Sequence, residues 1–148
     1  MRELSEATIL ALHALHTMVL KREPVSIEEV RRSSGVKAAR VRQIVAKLQR
    51  AGLVEGRAGR GYLLAKAPGQ ISIQDIVRSI EKPQTPSAPC GGNYEACASR
   101  ASCFLAPLCH SADQSHQDVL RTFTLAELMD VPLDTPNCLD PKLRIKAS

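Results

Sequence analysis

A capping box, a tight glycine turn and a basic helix follow one another between Ser26 and Arg50, and this order constrains the fold more than any other feature of the chain. In the box, the Ser26 oxygen takes an N–H of the first turn and Glu29 reaches back to the serine's own N–H. It opens a short helix expected to end near Arg32, and Ser33-Ser34-Gly35 makes a tight turn. A third helix is expected from about Lys37 to Arg50, with Val41, Ile44, Val45 and Leu48 facing the core and Gly52 ending it in left-handed geometry. Ahead of these, residues 4–21 read as a helix with Leu4, Ala7, Ala11, Leu12, Leu15, Met18 and Val19 on a broad apolar face, ended at Glu23-Pro24 because the residue before proline leaves helical space. Behind them, Leu53-Val54 and Tyr62-Leu63-Leu64 read as short strands joined by the hairpin Glu55-Gly56-Arg57-Ala58-Gly59-Arg60-Gly61. Helix, short helix, glycine turn, basic helix and hairpin is the order of a winged helix-turn-helix. The expected fold is mainly α with a small two-stranded β-wing, followed by a long C-terminal dimerisation helix.

Charge says what such a module would meet. Residues 31–60 hold nine Lys or Arg and one acid, Glu55, a local charge of +8 in a chain whose net charge is +5. The rest of the chain is therefore mildly acidic, and the basic block points to a polyanion, most simply double-stranded DNA. A helix entering the major groove needs an outward face that is small or polar. Ala38 and Ala39 let the helix start approach closely, and Ala39, Arg42, Gln43, Ala46 and Arg50 are expected to point outward. Arg40, Arg42 and Gln43 are candidates to reach base edges or phosphates. Arg31, Arg32 and Lys37 are expected to grip the phosphate backbone, and Arg57 and Arg60 to enter a minor groove.

The second half has a different chemistry. Ser72 is expected to cap a fourth helix over about 73–81. Residues 82–96 carry Pro83, Pro86, Pro89, Gly91 and Gly92, which forbid regular structure. From about Ala101 the chain reads as helix again, and Leu105, Leu108, Ala112, Ser115, Val119 and Phe123 recur at the spacing of a helix–helix seam. Thr124-Leu125-Ala126-Glu127 is a second capping box. The organisation expected is 1–81 as a DNA-binding domain, 82–104 as a cysteine-rich loop, 105–130 as a dimerisation helix with a short final helix, and 131–148 as a frayed tail. Neither a signal-peptide pattern nor an apolar run of about 20 residues is present, so a cytoplasmic location and no membrane partner are expected. Five cysteines is an odd number, and clustered cytosolic thiols more often bind metal or sense redox state than form structural disulfides. Close Cys-x2–4-Cys pairs, the usual mark of structural zinc, do not occur. No phosphate loop, nucleophile–base motif or paired carboxylates point to an enzyme.

From Met1 to about Met129 the chain resembles the IscR/NsrR/RirA family of bacterial transcription regulators. The likeness is carried by Met1-Arg2, the Ala/Leu run from Ala11 to Leu15, Leu48-Gln49-Arg50-Ala51-Gly52-Leu53-Val54, and the wing Arg57-Ala58-Gly59-Arg60-Gly61-Tyr62-Leu63-Leu64. It continues through Cys90-x6-Cys97-x5-Cys103 and Thr124-Leu125-Ala126-Glu127-Leu128. The resemblance implies a homodimer that binds a near-palindromic operator and an iron–sulfur cluster, [2Fe-2S] or [4Fe-4S], held by Cys90, Cys97 and Cys103. Soft thiolates suit such a centre. A histidine that follows the last cysteine in one subfamily is replaced here by Ala106. A carboxylate donated from the first helix in others falls near Ile9, which cannot ligate. His13, one turn later, and Cys109, which continues the five-residue cysteine interval, are the candidates for the fourth ligand. His16 and Glu6 are poorer ones, and Cys138 reads as a bystander. The function expected is a regulator whose operator affinity is set by the cluster through iron, redox or nitric oxide sensing. The alternative is a cluster-free regulator that senses by thiol–disulfide chemistry.

Overall fold

The computed structural model describes residues 4–82 and 100–128. Cys90, Cys97, Cys138 and the tail over 131–148 lie outside the described residues. The main helices and strands follow in order: α1 Glu6–Lys21, α2 Ile27–Ser34, α3 Ala38–Arg50, β1 Val54–Arg57, β2 Gly61–Leu64, α4 Ile73–Ile80, α5 Ala106–Thr122 and α6 Leu125–Leu128. The chain is mainly helical with a two-stranded antiparallel sheet, as the sequence leads one to expect.

The helix ends explain themselves locally. Ser5 caps α1 by accepting the Thr8 N–H, and Arg22, at φ 52°, closes its other end. The helix therefore stops short of Glu23-Pro24: a left-handed arginine ends it before the proline acts. In α2 both halves of the Ser26–Glu29 box form, and Gly35 at φ 70° terminates the helix at Ser34, beyond the expected Arg32. The strands reach further into the hairpin than expected: Val54 pairs with Leu64 and Arg57 with Gly61, so that only Ala58–Gly59–Arg60 are left to turn. Glycine at 56 and 61 takes positive φ, which lets this ladder continue to the tip. Helix α5 starts at Ala106 instead of near Ala101, because Pro107 is tolerated only in a first turn, and a short 3-10 turn over Arg100–Ser102 precedes it.

The core gathers one side of each helix of the first half. Leu10 and Leu15 from α1, Val30 from α2, Val41, Ile44, Val45 and Leu48 from α3, and Ile73, Ile76 and Ile80 from α4 are all buried in one cluster. Leu125 of α6 joins it, drawn in by backbone bonds from Leu125 N–H to Ile71 (2.8 Å) and from Ile73 N–H to Phe123 (2.9 Å). The last helix is thus stitched to the start of α4.

Helix α5 is different, since it contains no buried residue. It lies against α4 through Gln74, which is buried and donates to Gln117 at 2.8 Å while accepting from Arg121 at 3.4 Å. Its remaining face is open: Leu108 is 65% exposed, Val119 55% and Phe123 47%. These are residues of the expected seam.

Candidate nucleic-acid interface and cysteine centre

Helix α3 turns Val41, Ile44, Val45 and Leu48 inward, and this fixes what remains outside. Ala39, Arg40, Arg42, Gln43 and Arg50 are exposed, with Ala38 and Ala46 half-buried. Lys37 sits at the N-cap and makes no side-chain capping bond. The Arg40 N–H bonds to the Lys37 carbonyl at 3.0 Å, while the Lys37 side chain caps neither the Ala38 nor the Ala39 N–H, and a helix N-terminus favours an anion.

The basic residues divide into three sets. Lys37, Arg40, Arg42, Arg57 and Arg60 are exposed, and none of them pairs with an acid among the described residues. Arg31 and Arg32 are committed to Glu28: Arg31 Nε and Nη2 donate to its two oxygens at 2.8 and 2.6 Å, and Arg32 Nε lies 3.4 Å from one of them. That pairing holds the Glu28 carboxyl down to about 2 and raises the Arg31 guanidinium. Lys47 and Arg50 make the third set, each donating to a backbone carbonyl: Lys47 turns inward to Ile80 at 3.0 Å, and the Nε of exposed Arg50 reaches Ala46 at 3.4 Å. The Glu28 pairing is a site feature beyond those expected from the sequence, although acids three and four residues ahead of arginines on one helix are its signal.

The wing is held in place from two sides. Val25 and Tyr62 exchange backbone hydrogen bonds at 2.9 and 2.8 Å, which adds a third short extended segment beside β2. Gln49 Nε2 on α3 donates to the Gly56 carbonyl at 3.0 Å and braces the wing against the helix. Arg57 and Arg60 stand exposed at its tip. Nothing in the sequence singles out Gln49, because a polar residue near a helix end carries no mark of its distant partner.

Of the expected cluster ligands, Cys103 alone is described. It is half-buried between the 3-10 turn and α5, and its carbonyl accepts the Ala106 N–H at 3.1 Å. Cys109, also half-buried, lies in the early turns of α5. His13 is half-buried on α1; burial, then neighbouring His16, keeps its pKa below the ordinary 6.5 and so favours the neutral imidazole, the form that binds metal. Among the described residues no three His, Cys, Asp or Glu side chains gather into a metal-holding group. The donor chemistry nonetheless fits an iron–sulfur centre: the thiol of Cys103 is not sealed into the core, and the chain leads from it towards further thiols at Cys97 and Cys90.

The corner that leads into the cysteine segment is pinned on both sides. Lys47 of α3 holds the Ile80 carbonyl, while the Glu81 carboxylate accepts the Thr8 hydroxyl at 2.7 Å and the Ser5 N–H at 3.2 Å from α1. Thr8 is fully buried, so the Glu81 contact is part of the packed structure.

A family model described as an iron-dependent transcriptional regulator, Rrf2, matches residues 4–131. The transcriptional repressor NsrR of Streptomyces coelicolor is 28% identical over 134 residues, which cover 87% of this chain and 89% of that protein. Protein rrf2 of Nitratidesulfovibrio vulgaris is 28% identical over 109 residues, 72% of each chain. Among solved structures, CymR, the global cysteine regulator of B. subtilis, aligns with a TM-score of 0.70 and 24% identity over 89% of this chain and 99% of that one. At that identity the structural likeness concerns the fold, and it agrees with the winged helix described above.

Proposed function

This chain belongs to the Rrf2 family of transcriptional regulators, and we propose that it acts as a homodimer whose operator affinity is set by an iron–sulfur cluster on Cys90, Cys97 and Cys103. The observation that carries the DNA half is the sorting of the basic residues. Cations with no acid partner among the described residues sit on one helix and one wing, braced together by Gln49. In this reading Arg42 and Gln43 meet base edges, Lys37 and Arg40 meet phosphates, and Arg57 and Arg60 follow the minor groove. Family membership, the 28% likeness to NsrR and the cysteine spacing support the cluster half.

The chain's own residues supply the route between the halves. Cys103 would tie a bound cluster to the start of α5, and the Ile80–Glu81 corner joins the other end of the cysteine segment to α1 and α3. When bound, such a cluster supplies a charge and a set of Fe–S bonds that respond to iron supply, oxidants or nitric oxide. Its influence on DNA binding is limited to the difference in its free energy between the two arrangements of the protein. His13 and Cys109 are the candidates for a fourth ligand.

A second reading keeps the DNA module and replaces the cluster by reversible thiol chemistry. Cys103, just ahead of α5, and Cys109, within its early turns, are both only half-buried, which favours it. Anaerobic purification of wild type and Cys97→Ala separates the two. Brown wild-type protein with stoichiometric iron and sulfide, and a colourless variant, support the cluster; unchanged colour in the variant contradicts the ligand assignment. Colourless wild-type protein supports the thiol reading.

A further inference from the structure

The two arginines in the last turn of α2 already have a carboxylate partner, with which a phosphate would have to compete. Glu28 takes Arg31 by both oxygens at 2.8 and 2.6 Å and shares one oxygen with Arg32 at 3.4 Å. A two-pronged grip of this kind is the one guanidinium uses on phosphate, so carboxylate and phosphate compete for the same donors. The neighbouring acid is engaged elsewhere, since Glu29 closes the capping box on the Ser26 N–H at 2.7 Å and pairs with Lys21. Glu28 has no capping role, and among the described residues its carboxylate is bonded to Arg31 and Arg32 alone. All three side chains are solvent-accessible, which is where an exchange of partners can occur.

We propose that Glu28 is a specificity-determining residue that withholds Arg31 and Arg32 from DNA of arbitrary sequence. The inference rests on the reading that this face meets DNA. Affinity for arbitrary sequence comes almost wholly from phosphate contacts. No base contact fixes the register there, so no phosphate is held in place to displace Glu28. On an operator, base contacts fix the register and keep a phosphate at the arginines, which then exchange partners. Glu28 therefore lowers non-specific affinity more than operator affinity and raises the ratio between them.

Glu28→Gln keeps the side chain's size and removes its charge, and the exposed site makes it a mild change to the fold. Binding is measured by fluorescence anisotropy across a salt series, on a random-sequence duplex and on the duplex enriched from a random library by wild-type protein. Glu28→Ala serves as a second variant, and Glu29→Gln as the control for a charge lost elsewhere on α2. Both Glu28 variants should bind the random duplex about three- to tenfold more tightly, with a salt slope steeper by about 0.9 for each arginine released. The enriched duplex should gain less, and Glu29→Gln should not steepen the slope. Unchanged or weaker binding to the random duplex, or an equal gain on both duplexes, overturns the role of Glu28. Wild-type protein that binds neither duplex at low salt overturns the DNA reading instead.

Discussion

Lys47 Nζ donates a hydrogen bond of 3.0 Å to the backbone carbonyl of Ile80. A cation in the last turn of the basic helix thus serves the protein's own architecture. By satisfying the last turn of α4, where carbonyls lack intrahelical partners, it ties the reading helix to the corner where the cysteine segment begins.

Lys47→Met keeps the aliphatic stem and deletes the donor. The variant should lose about 1 kcal/mol of stability. Its salt slope on random duplex DNA should equal that of wild type, since Lys47 is turned to Ile80 and away from any phosphate. Urea unfolding and a salt series check the two halves, and a flattened slope would show Lys47 to be a DNA contact.

The wing depends on Gly61. At φ +87°, an added Cβ would lie 2.7 Å from Pro24 Cβ and 3.0 Å from its carbonyl carbon. Gly61→Ala should cost about 2 kcal/mol from backbone strain and crowding and weaken DNA binding as the wing leaves its seat. Wild-type stability measured by urea unfolding would contradict this packing.

Glu29 makes α2 sensitive to acid. The Lys21 ammonium, then the Ser26 N–H and hydroxyl, hold its carboxyl down to about 2, against an ordinary 4.5. The folded protein therefore binds the proton less readily than the unfolded chain. This contribution is complete above about pH 4.5 and is lost as pH falls towards 2. Glu29→Gln should make the fall of the urea midpoint across that window shallower, with the remainder due in part to Glu28, and leave the slope above it unchanged. A profile identical to wild type would remove Glu29 from the acid response.

The open seam of α5 predicts the assembly. Leu108 and Val119, 65% and 55% exposed, contribute nothing to the core of one chain. Val119→Glu should therefore leave the fold intact and turn a dimer into monomers by sedimentation equilibrium. A wild-type monomer at micromolar concentration, or a variant that still dimerises, contradicts the proposed interface.

Much of the fold is legible in local chemistry. The Ser26–Glu29 and Thr124–Glu127 boxes, the inward set Val41, Ile44, Val45 and Leu48, and the wing depend on residues close in sequence, so spacing alone reveals them. The contacts that decide the role of each cation are less so. Lys47 with Ile80, and Gln49 with Gly56, join a side chain to a backbone oxygen that no residue type advertises. Helix ends shift for a similar reason: Arg22 takes left-handed geometry that a sequence reserves for glycine, and it pre-empts Pro24.

The proposed coupling between a cysteine-held cluster and the DNA face is tested most directly by one comparison. Operator affinity is measured under anaerobic conditions on iron- and sulfide-loaded protein, and again after the iron has been removed by chelation, with a random duplex as control. A change of about five- to 150-fold is predicted on the operator, with little change on the random duplex. Equal operator affinities before and after removal would contradict the coupling.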